Sequence, residues 1–281
     1  MKKKPSIWAN CVVKNEERWI WYALKSVLDH IDKVLVWDTG SSDKTEKIIK
    51  TINNNKISFK QIGSVDKNNF ANIRQQMINK TFSDWILNLD GDEIWPKKSI
   101  IKLKNAIIKA PKNINTFCVR PINFVGDIRF IHPEVFLGQT PYGPKGLKGF
   151  FSNRVFRCNT PGLYVAGDYG KEGFYDNSNK TLIENKNQTK FLQDVYYWHM
   201  SYLPRSLSEK KDKQVMMRKR KRKHELGVSK PNWIEIPEVF YLPRPSIVPD
   251  PFYKMNNFEY LKAVIQTPLK KFKRKVTGWK R

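Results

Sequence analysis

Trp85-Ile86-Leu87-Asn88-Leu89-Asp90-Gly91-Asp92-Glu93 decides the fold: an apolar run of strand length ends in two carboxylates one residue apart. Alternate residues of an extended chain share a face, so Asp90 and Asp92 can aim at one point from a strand end. Gly91 lets the backbone turn between them without steric cost. Hard oxygen ligands at this spacing suit Mg²⁺ or Mn²⁺ shared with a diphosphate better than a closed zinc site. Alone, Asp-x-Asp is also ordinary turn chemistry, so the flanking sequence has to decide.

Working back from this stretch, strand-like and helix-like patterns alternate. Residues 7–13 are apolar and strand-length. Residues 16–28 carry Trp19, Ile20, Ala23, Leu24, Val27 and Leu28 at helical spacing, with Glu16 and Glu17 in the first turn. Residues 33–37 predict a second strand, closed by Asp38-Thr39-Gly40-Ser41-Ser42-Asp43, and Asp43 and Glu46 are spaced like a capping box opening the next helix. Residues 56–62 predict a third strand, 70–80 a helix and 85–89 a fourth strand. This alternation implies an α/β fold with a mostly parallel central sheet and helices on both faces. Ligands of such sheets sit beyond the carboxyl ends of the strands, where Asp38 and Asp90 both fall.

From about residue 110 the pattern changes to short β-like pieces broken by Pro and Gly, at 116–122, 151–157, 163–166 and 195–202, with a Gly- and Pro-rich loop at 138–149. A helix is expected after Pro204 through Leu226, followed by an irregular stretch. The domain reading is therefore 1–204 as the α/β domain, split near 110 into two halves, and 205–281 as a basic helical or irregular appendage.

Nine tryptophans, sixteen phenylalanines and 40% hydrophobic residues in 281 argue for a folded, enzyme-sized body rather than disorder. No apolar run is long enough to span a membrane. The basic start, Met1 to Lys4, leads into a short run interrupted by Asn10, which predicts a first strand rather than a signal peptide. Three widely spaced cysteines, Cys11, Cys118 and Cys158, without a Cys-x-x-Cys pair, point to a reduced cytoplasmic protein. The net charge of +26 is unevenly placed: residues 205–223 carry ten Lys or Arg against Glu209 and Asp212, and residues 269–281 carry seven and no acid. Two such clusters predict a polyanionic surface partner, whether nucleic acid, anionic lipid or acidic glycan.

Val12-Val13-Lys14-Asn15-Glu16-Glu17, Val36-Trp37-Asp38-Thr39-Gly40-Ser41-Ser42-Asp43-Lys44-Thr45, Phe70-Ala71-Asn72-Ile73-Arg74 and the Asp90-Gly91-Asp92 stretch resemble the successive motifs of family 2 glycosyltransferases with the GT-A fold. The likeness is closest to the bacterial branch that includes lipopolysaccharide-core glucosyltransferases and covers about the first two hundred residues. It implies that Asp38 contacts the uracil or ribose of a nucleotide sugar, and that Lys14, Asn15 and Glu16 line the same pocket. Arg74 resembles the arginine near the nucleotide, and a guanidinium suits diphosphate or base. Asp90 would face ribose or metal, Asp92 would bind the ion, and Glu93 would support them from behind or shape the turn. Taken singly, Asp38 could equally open a turn and Glu16 favour a helix start.

Arg154-Val155-Phe156-Arg157 and Gly167-Asp168-Tyr169-Gly170-Lys171-Glu172-Gly173 resemble the family's acceptor-side stretch, with lysine where a histidine is usual. Glu172 is the candidate general base and Asp168 the alternate. His199 is either an extra metal ligand or a satisfied core histidine; His132 has no nearby Cys or His partner and is assigned no metal. The resemblance implies an inverting, Mn²⁺- or Mg²⁺-dependent transfer from a nucleotide sugar, UDP-linked, to a glycan or lipid-linked acceptor; charge alone suggests that the basic appendage holds this cytoplasmic protein to the membrane face or to an anionic glycan. The competing reading is an inactive relative that binds nucleic acid or another polyanion; against it, aromatics are not interleaved with the basic runs.

Overall fold

The structure, a computed structural model, describes residues 4–137, 140 and 142–277. Parts of the predicted 138–149 loop, the end of the 269–281 basic cluster and the first three residues of the basic start lie outside the described residues.

Up to the acidic stretch the chain folds as its periodicity predicts. β1 (Ile7–Val13), α1 (Ile20–Leu28), β2 (Lys33–Asp38), α2 (Thr45–Lys50), β3 (Ile57–Gln61), α3 (Phe70–Asn79) and β4 (Trp85–Asp90) follow in order. The four strands pair in parallel as β3-β2-β1-β4, because parallel neighbours need a crossover and the helices supply it. Register sets the site: Val13 lies opposite Asp38, and Val12 opposite Asp90. The two acids therefore flank the end of β1.

Beyond β4 the sheet is mixed. β5 (Glu93–Ile94), α4 (Lys97–Ile108), β6 (Thr116–Val125), β7 (Asp127–Ile131), α5 (Glu134–Leu137), β8 (Ser152–Arg157), β9 (Tyr164–Ala166), β10 (Gly173–Tyr175) and β11 (Thr189–His199) complete it. β8 lies antiparallel between β4 and β6, while β9 and β10 form a separate hairpin. β11 runs parallel to β6, and its last residues pair antiparallel with β5, setting His199 opposite Glu93. A two-residue strand thus steers the end of β11 onto the acidic turn. Trp85 packs on Phe117 and Trp198 on Phe124, with ring centroids 5.2 and 4.0 Å apart; all four are fully buried. The inner parallel strands β1, β2 and β4 are mostly apolar and buried on both faces, whereas β3, at the sheet edge, carries Ser58, Lys60 and Gln61 exposed.

The remaining elements are α6 (Glu209–Lys213), α7 (Arg218–Lys221), β12 (Val228–Ser229), a 3₁₀ turn at Glu238–Tyr241 and α8 (Asn257–Thr277). Three local expectations change. α1 begins at Ile20 rather than at Glu16, leaving Glu16 free for ion pairing. The predicted capping box does not form: Asp43 accepts from Thr45 N at 3.0 Å, a turn bond, while Glu46 pairs with Lys50. The single helix expected from Pro204 to Leu226 is two short pieces, broken where Met217 takes a left-handed φ of 60°. Within the stretch expected to be irregular, residues 257–277 form the 21-residue α8.

α8 sits on the body through polar contacts. Arg274 Nη2 donates to Glu225 at 2.6 Å, Thr267 Oγ1 accepts from Leu226 N at 2.8 Å, and Glu259 pairs with Arg222. Beneath lies buried His132, its ring nitrogens 3.3 Å from Glu134 and 3.7 Å from Glu225. Burial raises both carboxyls, yet His132 with Lys223 on Glu134, and His132 with Arg274 on Glu225, prevail and bring each down to about 2. The turn after β4 shows a second constraint. A Cβ on Gly91 would stand 2.8 Å from Glu16 Cγ and 3.1 Å from Val13 Cγ1, so close approach, rather than an unusual φ, demands glycine.

Two outcomes follow from this packing. Because the folded pKa of Glu134 and Glu225 is depressed, their contribution is complete above about pH 4.5 and lost as pH falls towards 2, up to about 3 kcal/mol for each carboxylate. Urea unfolding at pH 7 and pH 3 is expected to show that loss, and Glu225→Gln to flatten it; parallel acid limbs in wild type and variant would contradict the assignment. Gly91→Ala must push the Glu16 side chain aside and is expected to cost about 1–3 kcal/mol in the same measurement.

Candidate active site

The loops after β1, β2 and β4 meet on one rim of the sheet. Asn15, at φ 52°, turns the first loop: its backbone N–H donates to Ser41 Oγ at 2.8 Å and its side-chain oxygen accepts from Ser42 N at 2.7 Å. Glu16 N donates to Thr45 Oγ1 at 2.7 Å. These bonds tie the first two loops together. Asp38, fully buried, accepts from Ser41 N at 2.8 Å through Oδ1, while its Oδ2 has no hydrogen-bond partner among the described residues. Burial raises its pKa, with the Ser41 bonds opposing.

Arginines answer the acids of the third loop. Arg74, from α3, donates to Asn88 and, at 2.9 Å, to Asp90 Oδ1. Arg154, from β8, donates to Asp90 Oδ2 at 3.2 Å and pairs with Glu93; its Nε reaches the Tyr197 hydroxyl at 3.1 Å. Burial alone would raise Asp90, yet Arg154 and Arg74 hold it well below the usual carboxylate range. Glu93, with no exposure, shares Arg154 with Asp90 and is pushed up by burial.

Asp92 is also fully buried. Arg205 Nη1 donates to its Oδ2 at 2.8 Å, and His199 Nε2 stands 3.6 Å from the same oxygen. Asp92 Oδ1 and His199 Nδ1 are buried without a hydrogen-bond partner among the described residues. Burial, stronger than the pull of Asp92, lowers His199 to about 4, so the imidazole is neutral near pH 7. An open corner of one carboxylate and one neutral imidazole fits a divalent ion whose remaining ligands come from a bound diphosphate. Among the described residues, no three His, Cys, Asp or Glu side chains form a closed cage.

Sequence reading missed the strap that closes this rim. Arg205 also grips Glu16, with Nε at 3.0 Å from both carboxylate oxygens. Arg218 donates to Glu16 at 2.6 Å, to the Lys14 carbonyl at 2.8 Å and to Asp212 at 3.1 Å. Ser206 Oγ donates to Glu17 at 2.6 Å, and the Trp19 indole donates to the Pro204 carbonyl at 2.8 Å. Burial raises Glu16 to about 7, with Arg205 and Arg218 opposing. Lys14 itself is half-buried and meets the strap through its backbone. Nothing in the sequence sets Arg205 and Arg218 apart from the basic residues around them.

The hairpin loop between β9 and β10 completes the surroundings. Tyr169 stands edge-on to Phe70 at 4.7 Å, and its hydroxyl feels Arg205, Arg218, Glu16 and Asp90. Glu172 is half-buried and accepts from Gly170 N at 2.8 Å; Asp168 is exposed. Lys221 is exposed along its length, but partial loss of hydration around its ammonium group lowers it, with Arg205 lowering it further and Asp92, Asp90 and Glu172 raising it. The loop's Glu172 and the acids of the rim therefore act on one ammonium group. His132 lies apart, within the buried cluster under α8.

The profile of the family described as glycosyl transferase family 2 matches residues 11–168, more than half of the chain. Among curated proteins, an uncharacterized glycosyltransferase of Rickettsia typhi is 37% identical over 82 residues, 29% of this chain and 26% of that protein. The SPbeta prophage-derived glycosyltransferase SunS of Bacillus subtilis is 29% identical over 116 residues, 41% and 26% respectively. The chain thus spans about a quarter of the length of these relatives. Among solved structures, S. aureus TarS 1-349 in complex with UDP-GlcNAc has a TM-score of 0.46 at 17% identity, covering 69% of this chain and 58% of that one. Glucosyl-3-phosphoglycerate synthase from Mycobacterium tuberculosis, in complex with Mn²⁺, UDP-glucose and phosphoglyceric acid, has a TM-score of 0.46 at 15% identity, covering 69% and 72%. With the mixed α/β sheet of the GT-A type and its acidic rim, the chain belongs to glycosyl transferase family 2.

Proposed function

We propose that this protein transfers a sugar from a UDP-sugar to a glycan or lipid-linked acceptor with inversion at C1, in the manner of the lipopolysaccharide-core glucosyltransferase-like branch, from the cytoplasmic side of a membrane. The observation that carries the reading is the convergence of Asp38, Asp90 and Asp92 on one rim, with buried oxygens of Asp38 and Asp92 still able to accept or coordinate. Asp38 Oδ2 would accept from a uracil N–H or a ribose hydroxyl, and Lys14, Asn15 and Glu16 would border that pocket. Arg74, clamped by Asn88 and Asp90, has its guanidinium oriented in advance for the nucleotide.

Asp92 and His199 would hold Mn²⁺ or Mg²⁺, with Asp90 beside them; the bound ion supplies positive charge against the departing diphosphate. Arg205 and Lys221 add cations on the same side. In the transfer, the acceptor oxygen forms a bond to C1 while the bond from C1 to the diphosphate oxygen breaks. Glu172 takes the acceptor's proton, and its half-buried position beside the rim favours it over exposed Asp168.

Calorimetric titration with UDP tests the donor site. Binding is expected to require Mn²⁺ or Mg²⁺ and to be abolished by Asp92→Ala; no binding with or without metal would remove the UDP-sugar reading and leave polyanion binding. Once a donor and acceptor pair is in hand, Glu172→Gln is expected to lower kcat by on the order of 10²–10⁴ with UDP affinity retained, and Asp168→Asn to leave kcat nearly unchanged. The opposite order would move the base to Asp168.

A further inference from the structure

α8 has its sides reversed relative to an ordinary surface helix. The stripe facing the body is Glu259, Ala263, Thr267, Lys270 and Arg274, and its contacts there are ion pairs and hydrogen bonds. On the opposite side, Phe258, Leu261, Ile265, Leu269, Phe272 and Val276 recur at three- and four-residue spacing, and each is more than half exposed. A helix that only covered a soluble core would turn such a stripe inward. Six large apolar side chains in one exposed row exceed the scattered surface hydrophobics that need no explanation.

The charges say what covers them. At 100° per residue, Lys262 and Lys273 flank one side of the stripe, Lys271 and Lys275 the other. Glu259 is the sole acid of the helix, and it faces inward to Arg222. Two copies packed stripe to stripe would bring these lysines together on chains that each carry +26. An anionic lipid surface complements both parts: acyl chains take the apolar row and headgroup phosphates the lysines. Among the described residues no helix is apolar and long enough to cross a bilayer, which leaves α8 to lie in the interface plane.

We propose that α8 is an interfacial membrane anchor, inserting the Phe258-to-Val276 row into the leaflet of an anionic bilayer with Lys262, Lys271, Lys273 and Lys275 at headgroup level. This deepens the membrane-side reading of the proposed function. Its test needs no transfer reaction, so the two can fail separately.

The full chain is sedimented with phosphatidylcholine vesicles and with vesicles containing phosphatidylglycerol as a minor component. Wild type is expected to bind the anionic vesicles, with salt weakening but not abolishing the association. The pair Ile265→Glu and Phe272→Glu is expected to weaken binding by on the order of tenfold or more. Both positions are exposed, so the circular dichroism spectrum should be unchanged. Lys271→Glu with Lys275→Glu should remove the preference for anionic over neutral vesicles. Failure of wild type to bind anionic vesicles, or wild-type binding by the glutamate pair, would each overturn the proposal. So would self-association in sedimentation equilibrium that the glutamate pair abolishes, which would assign the row to a second copy.

Discussion

Buried carboxylates at the ends of parallel strands set the terms for the rest of this molecule. Glu16, Asp92 and Glu93 are buried and the Asp90 side chain is only a quarter exposed, and a buried carboxylate without a partner costs several kcal/mol. The counter-charges are four arginines from three separate segments: Arg74 from α3, Arg154 from β8, and Arg205 and Arg218 from the strap. The apolar sheet brings the carboxylates to one rim, but it cannot keep them there alone. Guanidinium groups suit this task because they remain charged when buried and donate to two or three acceptors at once. Strand β8 and the strap are held to the first half by the same charges that line the rim.

The stretch from Arg218 to Glu225 answers to two sites. Arg218 reaches into the rim, to Glu16 and the Lys14 carbonyl. Four residues later, Arg222 pairs with Glu259 of α8, and Glu225 receives Arg274. A short, strongly basic piece of chain therefore joins the rim to α8 without an intervening apolar core. Met217, in its left-handed conformation, is where the chain turns to make both contacts possible.

Strands β1 to β4 were legible because apolar runs of strand length, separated by helical periodicity, have few other ways to be buried. Asp38, Asp90 and Asp92 were legible as a rim because strand ends in a parallel sheet share a direction. What escaped depended on contacts distant in sequence. β5 is two residues long and has no pattern, yet it sets His199 beside Asp92. The stretch after Pro204 through Leu226 read as one helix because local propensity favours it, whereas Arg218 is drawn to partners two hundred positions away. The row on α8 escaped because the stretch beyond Leu226 read as irregular, and which side of the helix meets the body depends on ion pairs to residues 222 and 225.

The reach of the strap also bears on the order in which the chain can fold. The first four strands pair among themselves within residues 7–90. Glu16 and Asp92, however, lack Arg205 until a further 113 residues beyond Asp92 have been made. During synthesis the nascent rim must keep these carboxylates hydrated or protonated, so its loops stay open while the sheet behind them forms. Closure is the late event, and the bond from the Trp19 indole to the Pro204 carbonyl forms with it.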